Sequence, residues 1–189
     1  MSFVNAHFVT YARDLGFSPL VGAGAFSLIG ATAIVGALLL GHLSDQYGRR
    51  RLLAASYQLR MAGFVVVLLS MGVSFLGIPP LGIVPLVIGM VLVGFSWNAV
   101  VGITAAFASD GFGTTNLGRI YGTMFAVMPI GSGIGSALSG YLFDLRGNYE
   151  IAIWTNIVLL VVSALLVWTI GDNRPGARVA ELAGQRAPA

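Results

Sequence analysis

The 189-residue sequence contains no cysteine and no lysine, and only 9% of its residues are charged. The absence of cysteine excludes disulfides, thiol catalysis and cysteine metal ligands. The sequence also has only two histidines and no paired carboxylates within its apolar segments, so we expect no metal site, no cofactor and no membrane-embedded enzyme. Its ten basic residues are all arginines. Because most of them flank apolar segments, they favour membrane orientation over nucleic-acid binding.

Long stretches of the sequence carry no charge at all, and 57% of its residues are hydrophobic. A soluble domain has about 45–50% apolar residues. A membrane-spanning helix needs about 20 predominantly apolar residues, and the charge-free stretches reach or exceed that length. The longest, Met61–Ser109, is too long for one helix and is broken at Gly77–Pro80, where proline interrupts a helix. The sequence therefore predicts an all-α polytopic membrane helix bundle.

We predict five full spans, at residues 18–40, 52–76, 81–109, 120–142 and 150–170. Residues 1–12 are apolar as well, but at 1.5 Å per residue they rise only about 18 Å, short of the roughly 30 Å hydrocarbon core. They are expected to be a truncated first helix, so that residues 1–170 form one transmembrane unit. Residues 171–189 are polar, contain two prolines and are expected to form a disordered tail.

The arginines are divided unequally between the two sides that five crossings would define. Arg13 and Arg146 lie on one side. Seven lie on the other: Arg49, Arg50, Arg51, Arg119, Arg174, Arg178 and Arg186. Because basic residues accumulate in cytoplasmic loops, we predict a multi-pass protein of a plasma membrane with a cytoplasmic C-terminus.

Charge is concentrated in one stretch, GHLSDQYGRRRL at residues 41–52. Such a turn can simply mark a cytoplasmic loop. Its pattern, however, resembles the loop signature of the major facilitator superfamily of transporters, roughly G-x-L-[AS]-D-[RK]-[YF]-G-R-[RK]-[RK], from which Gln46 departs. We expect the preceding helix to end at Gly41. The resemblance implies a conformational latch in which Asp45 meets the start of the 120–142 helix near Gly118 and Arg119. The residues of this latch would be Gly41, Asp45, Gly48, Arg49, Arg50 and Arg51.

The resemblance covers nearly the whole chain and favours the C-terminal half of the twelve-helix superfamily fold. No arginine lies in the 81–109 span, where many first halves have one. Leu117–Tyr149 is similar to the eleventh helix and following loop of bacterial monocarboxylate-transporter-like members, and His7–Ser18 is similar to the end of their helix seven. The resemblance implies a half-bundle in the bacterial inner membrane that needs a missing N-terminal half.

Several polar and aromatic residues are candidates for the wall of a transport cavity. His7 either titrates near neutral pH or forms an interhelical hydrogen bond, and Trp97 is either a cavity residue or an interfacial anchor. The candidates are Asn5, His7, Thr10, Tyr11, Trp97, Asn98, Tyr121 and Met124.

Arg60 lies about 13 Å further along its helix than Arg51. An intramembrane charge suggests a function, and the alternatives are a structural role, reaching toward the interface, or contact with an anion. Gly131, Gly135 and Ser139 share one helix face at the spacing that allows close helix packing in lipid. The run GSGIGSA around them lacks the strand that a dinucleotide loop requires.

The predicted function is secondary active transport of a small solute, an organic anion, by alternating access, with a coupling proton or an exchanged anion and the lipid bilayer as partners. The alternative is a non-transporting accessory or scaffold protein derived from a transporter half. Eukaryotic monocarboxylate carriers hold an Asp/Arg pair in helix eight, which the 18–40 span lacks. The proton–lactate mechanism of those carriers therefore does not transfer to this chain, and the sequence does not identify the substrate.

Overall fold

The computed structural model describes residues 2–14, 16–73 and 76–171. Six helices make up nearly all of this part of the chain: α1 Ser2–Asp14, α2 Pro19–Tyr47, α3 Arg49–Met71, α4 Ile83–Phe112, α5 Leu117–Arg146 and α6 Glu150–Thr169. Helices α2 to α6 are each long and apolar enough to cross a membrane. The expected all-α bundle of five spans and one short first helix is therefore confirmed. Except for Gly171, the predicted tail lies outside the described residues.

The boundary between α2 and α3 differs from the sequence prediction. Gly41 does not end α2, which continues to Tyr47, so that Asp45 is helical and the turn consists of Gly48 alone. A glycine inside a helix costs only about 1 kcal/mol relative to alanine, whereas leaving the helix demands a change of backbone conformation. Gly48 supplies it with φ of +97°, and its N–H still donates to Ser44 O at 3.2 Å. The predicted end at residue 76 is also wrong, because Gly72, with φ of +80°, follows the last residue of α3.

Helix α4 lies at the centre of the bundle, where glycines let its neighbours approach closely. A Cβ atom built on Gly94 would lie 2.7 Å from Ile29 Cα of α2, and one on Gly63 of α3 would lie 2.9 Å from Gly89 O. Gly36 of α2 lies against the backbone of Phe95 in the same way. Small residues therefore hold α2, α3 and α4 together in a close-packed group.

Helices α1 and α5 pack differently from each other. Val4, Phe8, Tyr11 and Ala12 of α1 are almost fully buried, so this short helix contributes a complete inner face to the core. In α5, all of whose residues are described, Ser139 is the one buried residue. Helix α5 therefore stands at the edge of the bundle and leaves grooves beside it.

Candidate functional site

A groove lies between α1, α2 and α4 and encloses about 230 Å³. Asn5, Trp97 and Asn98 line it from two of these helices, and Gly30 and Ala33 of α2 leave the space open opposite them. The remaining lining residues are Phe26 and Ile29. Asn5 and Asn98 carry amides and Trp97 carries an indole N–H, all of which can donate hydrogen bonds, and the other lining residues are apolar. Such a composition is typical of small-molecule sites. We call this space the central groove.

Arg60 lies behind the central groove, in the interface between α3 and α4. Only 4% of its surface is exposed. Its Nε donates to Ser96 Oγ at 3.1 Å, and its Nη2 donates to Ser96 O at 2.7 Å and to Trp97 O at 3.3 Å. Its Cζ lies 5.9 Å from the centroid of the Trp97 ring, within the range of a cation–π contact. The side chain therefore crosses to α4 instead of reaching along α3 toward the interface.

Tyr121 and Met124 line a second groove of about 200 Å³, between α3, α4 and α5. Tyr57 and Thr104 add their hydroxyl groups to this otherwise apolar space. Tyr121 donates to Val101 O at 3.2 Å. The candidate cavity residues are thus divided between two grooves, and those of α5 do not lie with Asn5, Trp97 and Asn98.

His7 links α1 to α5 and to the turn before α6. Its Nε2 lies 3.1 Å from Ser136 O, and its Nδ1 lies 3.4 Å from the Tyr149 hydroxyl. Because a carbonyl only accepts, Nε2 is the donor of the hydrogen bond to Ser136 O. Burial, with the nearby charges of Asp14 and Asp144, raises the pKa of Tyr149, so this hydroxyl keeps its proton. His7 therefore makes the interhelical hydrogen bond that was one of its two alternatives.

Tyr11, another candidate for the cavity wall, lies in the core. It is 1% exposed, and its hydroxyl donates to Val67 O at 3.3 Å and lies 3.0 Å from Ser70 Oγ. The expectation that Tyr11 lines the cavity is not met, because its position on α1 places it against α3. Thr10, the next residue back along the helix, is exposed.

Arg49 gathers the polar contacts at the charged turn. It forms ion pairs with Asp45, four residues back along the chain at the end of α2, and with Asp110 near the end of α4, where Nε and Oδ2 are 3.1 Å apart. It also donates to Ser44 Oγ at 2.7 Å. The carboxylate of Asp45 thus pairs with Arg49, whereas the expected partner was the start of α5.

Arg50 attaches the end of α6 to the same turn. Its Nη1 donates to Ile170 O at 3.1 Å, and its Cζ lies 5.2 Å from the centroid of the Trp168 ring. Together with the Arg49–Asp110 pair, this contact brings the C-terminal ends of α2, α4 and α6 to one end of the bundle, which we call the arginine-rich end. Arg51 is exposed there.

The GxxxG face of α5 does not make the expected close contact. A Cβ atom on Gly131 would meet nothing within 4 Å. Gly131, Gly135 and Ser139 instead line a third groove of about 260 Å³, between α5 and α6. Helix α5 stands away from α6 along this face, so its glycines are not needed for a close approach. The close contacts of glycines between helices occur instead around α4.

Comparison with known protein families decides the affiliation. The model of the Major Facilitator Superfamily matches residues 1–189. The chain belongs to the major facilitator superfamily. Membership of the superfamily and the five apolar helices together identify a multi-pass membrane protein of a transporter family.

Superfamily relatives resemble the chain over most of its length. The uncharacterized MFS-type transporter YcxA of Bacillus subtilis is 27% identical over 168 residues, which is 88% of this chain and 39% of YcxA. Monocarboxylate transporter 13 of Bos taurus is 28% identical, over 85% of this chain and 36% of its own length. A triacylglyceride transporter of Mycobacteroides abscessus is 29% identical, over 68% of this chain and 23% of its own length. The chain thus spans 23% to 39% of the length of these relatives.

Sequence reasoning missed several residues of this superfamily protein that complete its polar contacts. Asp110 had a recognisable signal, because it is an acidic residue at the end of a span and was expected on the same side as the arginine-rich turn. Ser96 precedes Trp97 directly and could have been considered with it. Ser136 gave no signal, since it contributes a backbone carbonyl to His7.

Proposed function

We propose that the chain forms one wall of a secondary active transporter that moves a small organic anion across the membrane by alternating access. The observation that carries this proposal is the central groove, with hydrogen-bond donors from Asn5, Trp97 and Asn98 in an apolar wall. Superfamily members place the substrate site near the middle of the bilayer, between two repeated bundles that move against each other. A groove open along one side of a single bundle suits one wall of such a site.

The chemistry of the central groove supports an anionic substrate. No acidic side chain is among the residues that line it, so nothing on this wall repels a carboxylate. Amide and indole N–H groups donate to carboxylate oxygens, and a hydrogen bond to a charged group is stronger than one between neutral groups. The name of monocarboxylate transporter 13, a relative at 28% identity, supports the same class of substrate.

We propose that a second six-helix half completes the cavity, in the inner membrane of a bacterium and with the C-terminus of this chain in the cytoplasm. In support, α5 buries only Ser139 among its fully described residues, which leaves most of its surface for another partner. The charged turn would then act as the latch. Arg49 joins α2 to α4 through Asp45 and Asp110, so movement between these helix ends has to break or remake ion pairs.

Uptake by the complete transporter tests this function. The chain, joined to a preceding six-helix half, is reconstituted in proteoliposomes with radiolabelled acetate, lactate and benzoate as probes. We expect uptake of at least one probe, and we expect Asn98→Ala to lower its uptake by about tenfold or more, because a hydrogen bond to a charged group is lost. The matched control is Asn116→Ala, which changes an exposed asparagine before α5 whose side chain caps no backbone group.

Two outcomes would contradict the proposal. Uptake that survives Asn98→Ala unchanged would remove the central groove from the transport path. Absence of uptake of every probe by a folded complete protein would instead favour the accessory or scaffold role, in which the helices are retained without transport.

A further inference from the structure

Arg60 is a buried cation whose environment calls for an explanation. It lies eleven residues after Arg49, about 16 Å along the helix axis, and is 4% exposed. The ion pairs found in the described part of the chain both belong to Arg49, so no carboxylate there compensates the charge of Arg60. A buried charge is costly unless other groups replace its hydration. Its Nε and Nη2 donate to oxygen atoms of α4.

The hydrogen bonds of Arg60 and its ring contact go to two consecutive residues of α4. Ser96 contributes its hydroxyl and its carbonyl, and Trp97 contributes its carbonyl and its ring. Trp97 and the next residue, Asn98, both line the central groove. The guanidinium group is therefore attached to the short segment of α4 that carries the donors of the proposed site.

The glycine contacts explain how Arg60 reaches α4. The backbones of α3 and α4 touch at Gly63 and Gly89. Gly63 is three residues after Arg60 and shares its face of α3, and Gly89 is seven residues before Ser96 and shares its face of α4. This close approach lets the side chain cross the interface. The planar guanidinium, with donors at fixed angles, can hold a hydroxyl and two carbonyls at once, which a lysine ammonium cannot match in geometry.

We propose that Arg60 is a positioning residue for the central groove, which holds the Ser96–Trp97 segment so that the side chains of Trp97 and Asn98 face the substrate together. Arg60 is not among the residues that line the groove, so it acts through Trp97 and not by binding the anion. The inference rests on the proposed function for its consequence in transport. The positioning itself is a property of the chain without substrate.

The test measures the groove wall directly in the 189-residue chain. In a Trp154→Phe/Trp168→Phe background, Trp97 is the remaining tryptophan, and its emission and its quenching by acrylamide report on its surroundings. Because the chain has no cysteine, Asn98→Cys gives a single thiol whose rate of reaction with N-ethylmaleimide reports on the neighbouring position. Both readouts are compared in Arg60→Met and Arg60→Lys, with thermal unfolding measured alongside.

We expect Arg60→Met to shift the emission of Trp97, to increase its quenching and to raise the labelling rate at position 98 by about three- to tenfold, the ratio that corresponds to one lost hydrogen bond. For Arg60→Lys, the emission and quenching of Trp97 and the labelling rate at position 98 should lie between those of Arg60→Met and those of the unchanged chain. Arg51→Met is the matched control, because Arg51 is exposed at the arginine-rich end. Val67→Ala is the stability control, since Val67 is fully buried against α4 beside Gly89 and has no part in holding Trp97.

Unchanged emission and labelling in a folded Arg60→Met variant would overturn the proposal, as would an equal change in Val67→Ala, which would mean general loosening of the bundle. If Arg60→Met does not fold, Arg60→Lys decides by the same two readouts. Neither measurement uses a substrate. Failure of all uptake assays would therefore refute the proposed function and leave this result standing.

Discussion

Arg49 shows how much one side chain can do where helices meet. It is largely buried, and its two carboxylate partners differ in kind: Asp110 is brought to it from 61 residues away, whereas Asp45 lies four residues back along the chain. The side chain of Asp110 is 22% exposed and that of Asp45 is 58% exposed. Solvent screens the second pair more strongly than the first, so the two ion pairs should contribute unequally to stability.

We predict that Asp110→Asn lowers the free energy of unfolding by about 1–2 kcal/mol, between the values for exposed and buried pairs. Asp45→Asn should lower it by at most about 0.5 kcal/mol, as expected for an exposed ion pair. Both substitutions keep the shape of the side chain and neutralise one carboxylate partner of Arg49, so each is the control for the other. Thermal unfolding in detergent measures the difference, and equal losses would mean that the contact with Asp110 contributes nothing beyond local pairing.

At the same scale, residues in the site were only partly predictable. Trp97 and Asn98 are the polar point of an apolar span, and the structure brings them to the same groove as Asn5; their role in transport stays a prediction. Tyr11 was misjudged because a tyrosine on a short apolar helix gives no sign of which neighbour it meets. Its burial depends on Val67 and Ser70 of α3, more than fifty residues away.

Among the helices, existence was easier to predict than ends or contacts. Apolar length and low charge identify the five spans, once the longest stretch is divided at Gly77–Pro80, because a helix that crosses the bilayer consists mainly of apolar residues. Arg60, inside α3, is a charge within one of these spans. Gly41 and Gly48 look alike in the sequence, yet only Gly48 adopts a positive φ and ends its helix. Gly131 likewise resembles Gly36, although only Gly36 touches another backbone. Such differences are decided by the neighbouring helix.

The contact between α2 and α4 therefore allows a test within one helix. We predict that Gly36→Ala destabilises the bundle by about 1–3 kcal/mol, the usual cost of overpacking, because the new Cβ would collide with the backbone of Phe95, which cannot move aside as a side chain could. Gly24→Ala is the matched control on α2, where a Cβ meets nothing within 4 Å; it should be neutral or stabilising by up to about 1 kcal/mol. Thermal unfolding of the two variants decides, and a loss of stability in both, or in neither, would mean that this contact is not close in solution.

On the scale of the whole molecule, the two ends of the bundle differ in charge. The contacts of Arg49 and Arg50 hold the ends of α2, α4 and α6 together, and Arg119 lies in the first turn of α5 at that same end. Arg13 and Arg146 close α1 and α5 at the opposite end. The described arginines thus follow the unequal division that the alternating spans predict, which is the pattern that sets orientation in membranes.

This asymmetry leads to a prediction about orientation that the cysteine-free chain makes simple to test. Single cysteines are introduced at exposed positions, Gln46→Cys and Thr115→Cys at the arginine-rich end and Leu81→Cys and Asp144→Cys at the other. Because cytoplasmic loops hold the excess of arginine, an impermeant maleimide should label positions 81 and 144 in intact bacteria, and positions 46 and 115 only after permeabilisation. Each pair is the control for the other, since all four sites should react in opened cells. The reverse pattern would place the charged turn outside the cell and remove the basis for a cytoplasmic latch. Labelling of all four positions in intact cells would contradict a bundle whose ends lie on opposite sides of the membrane.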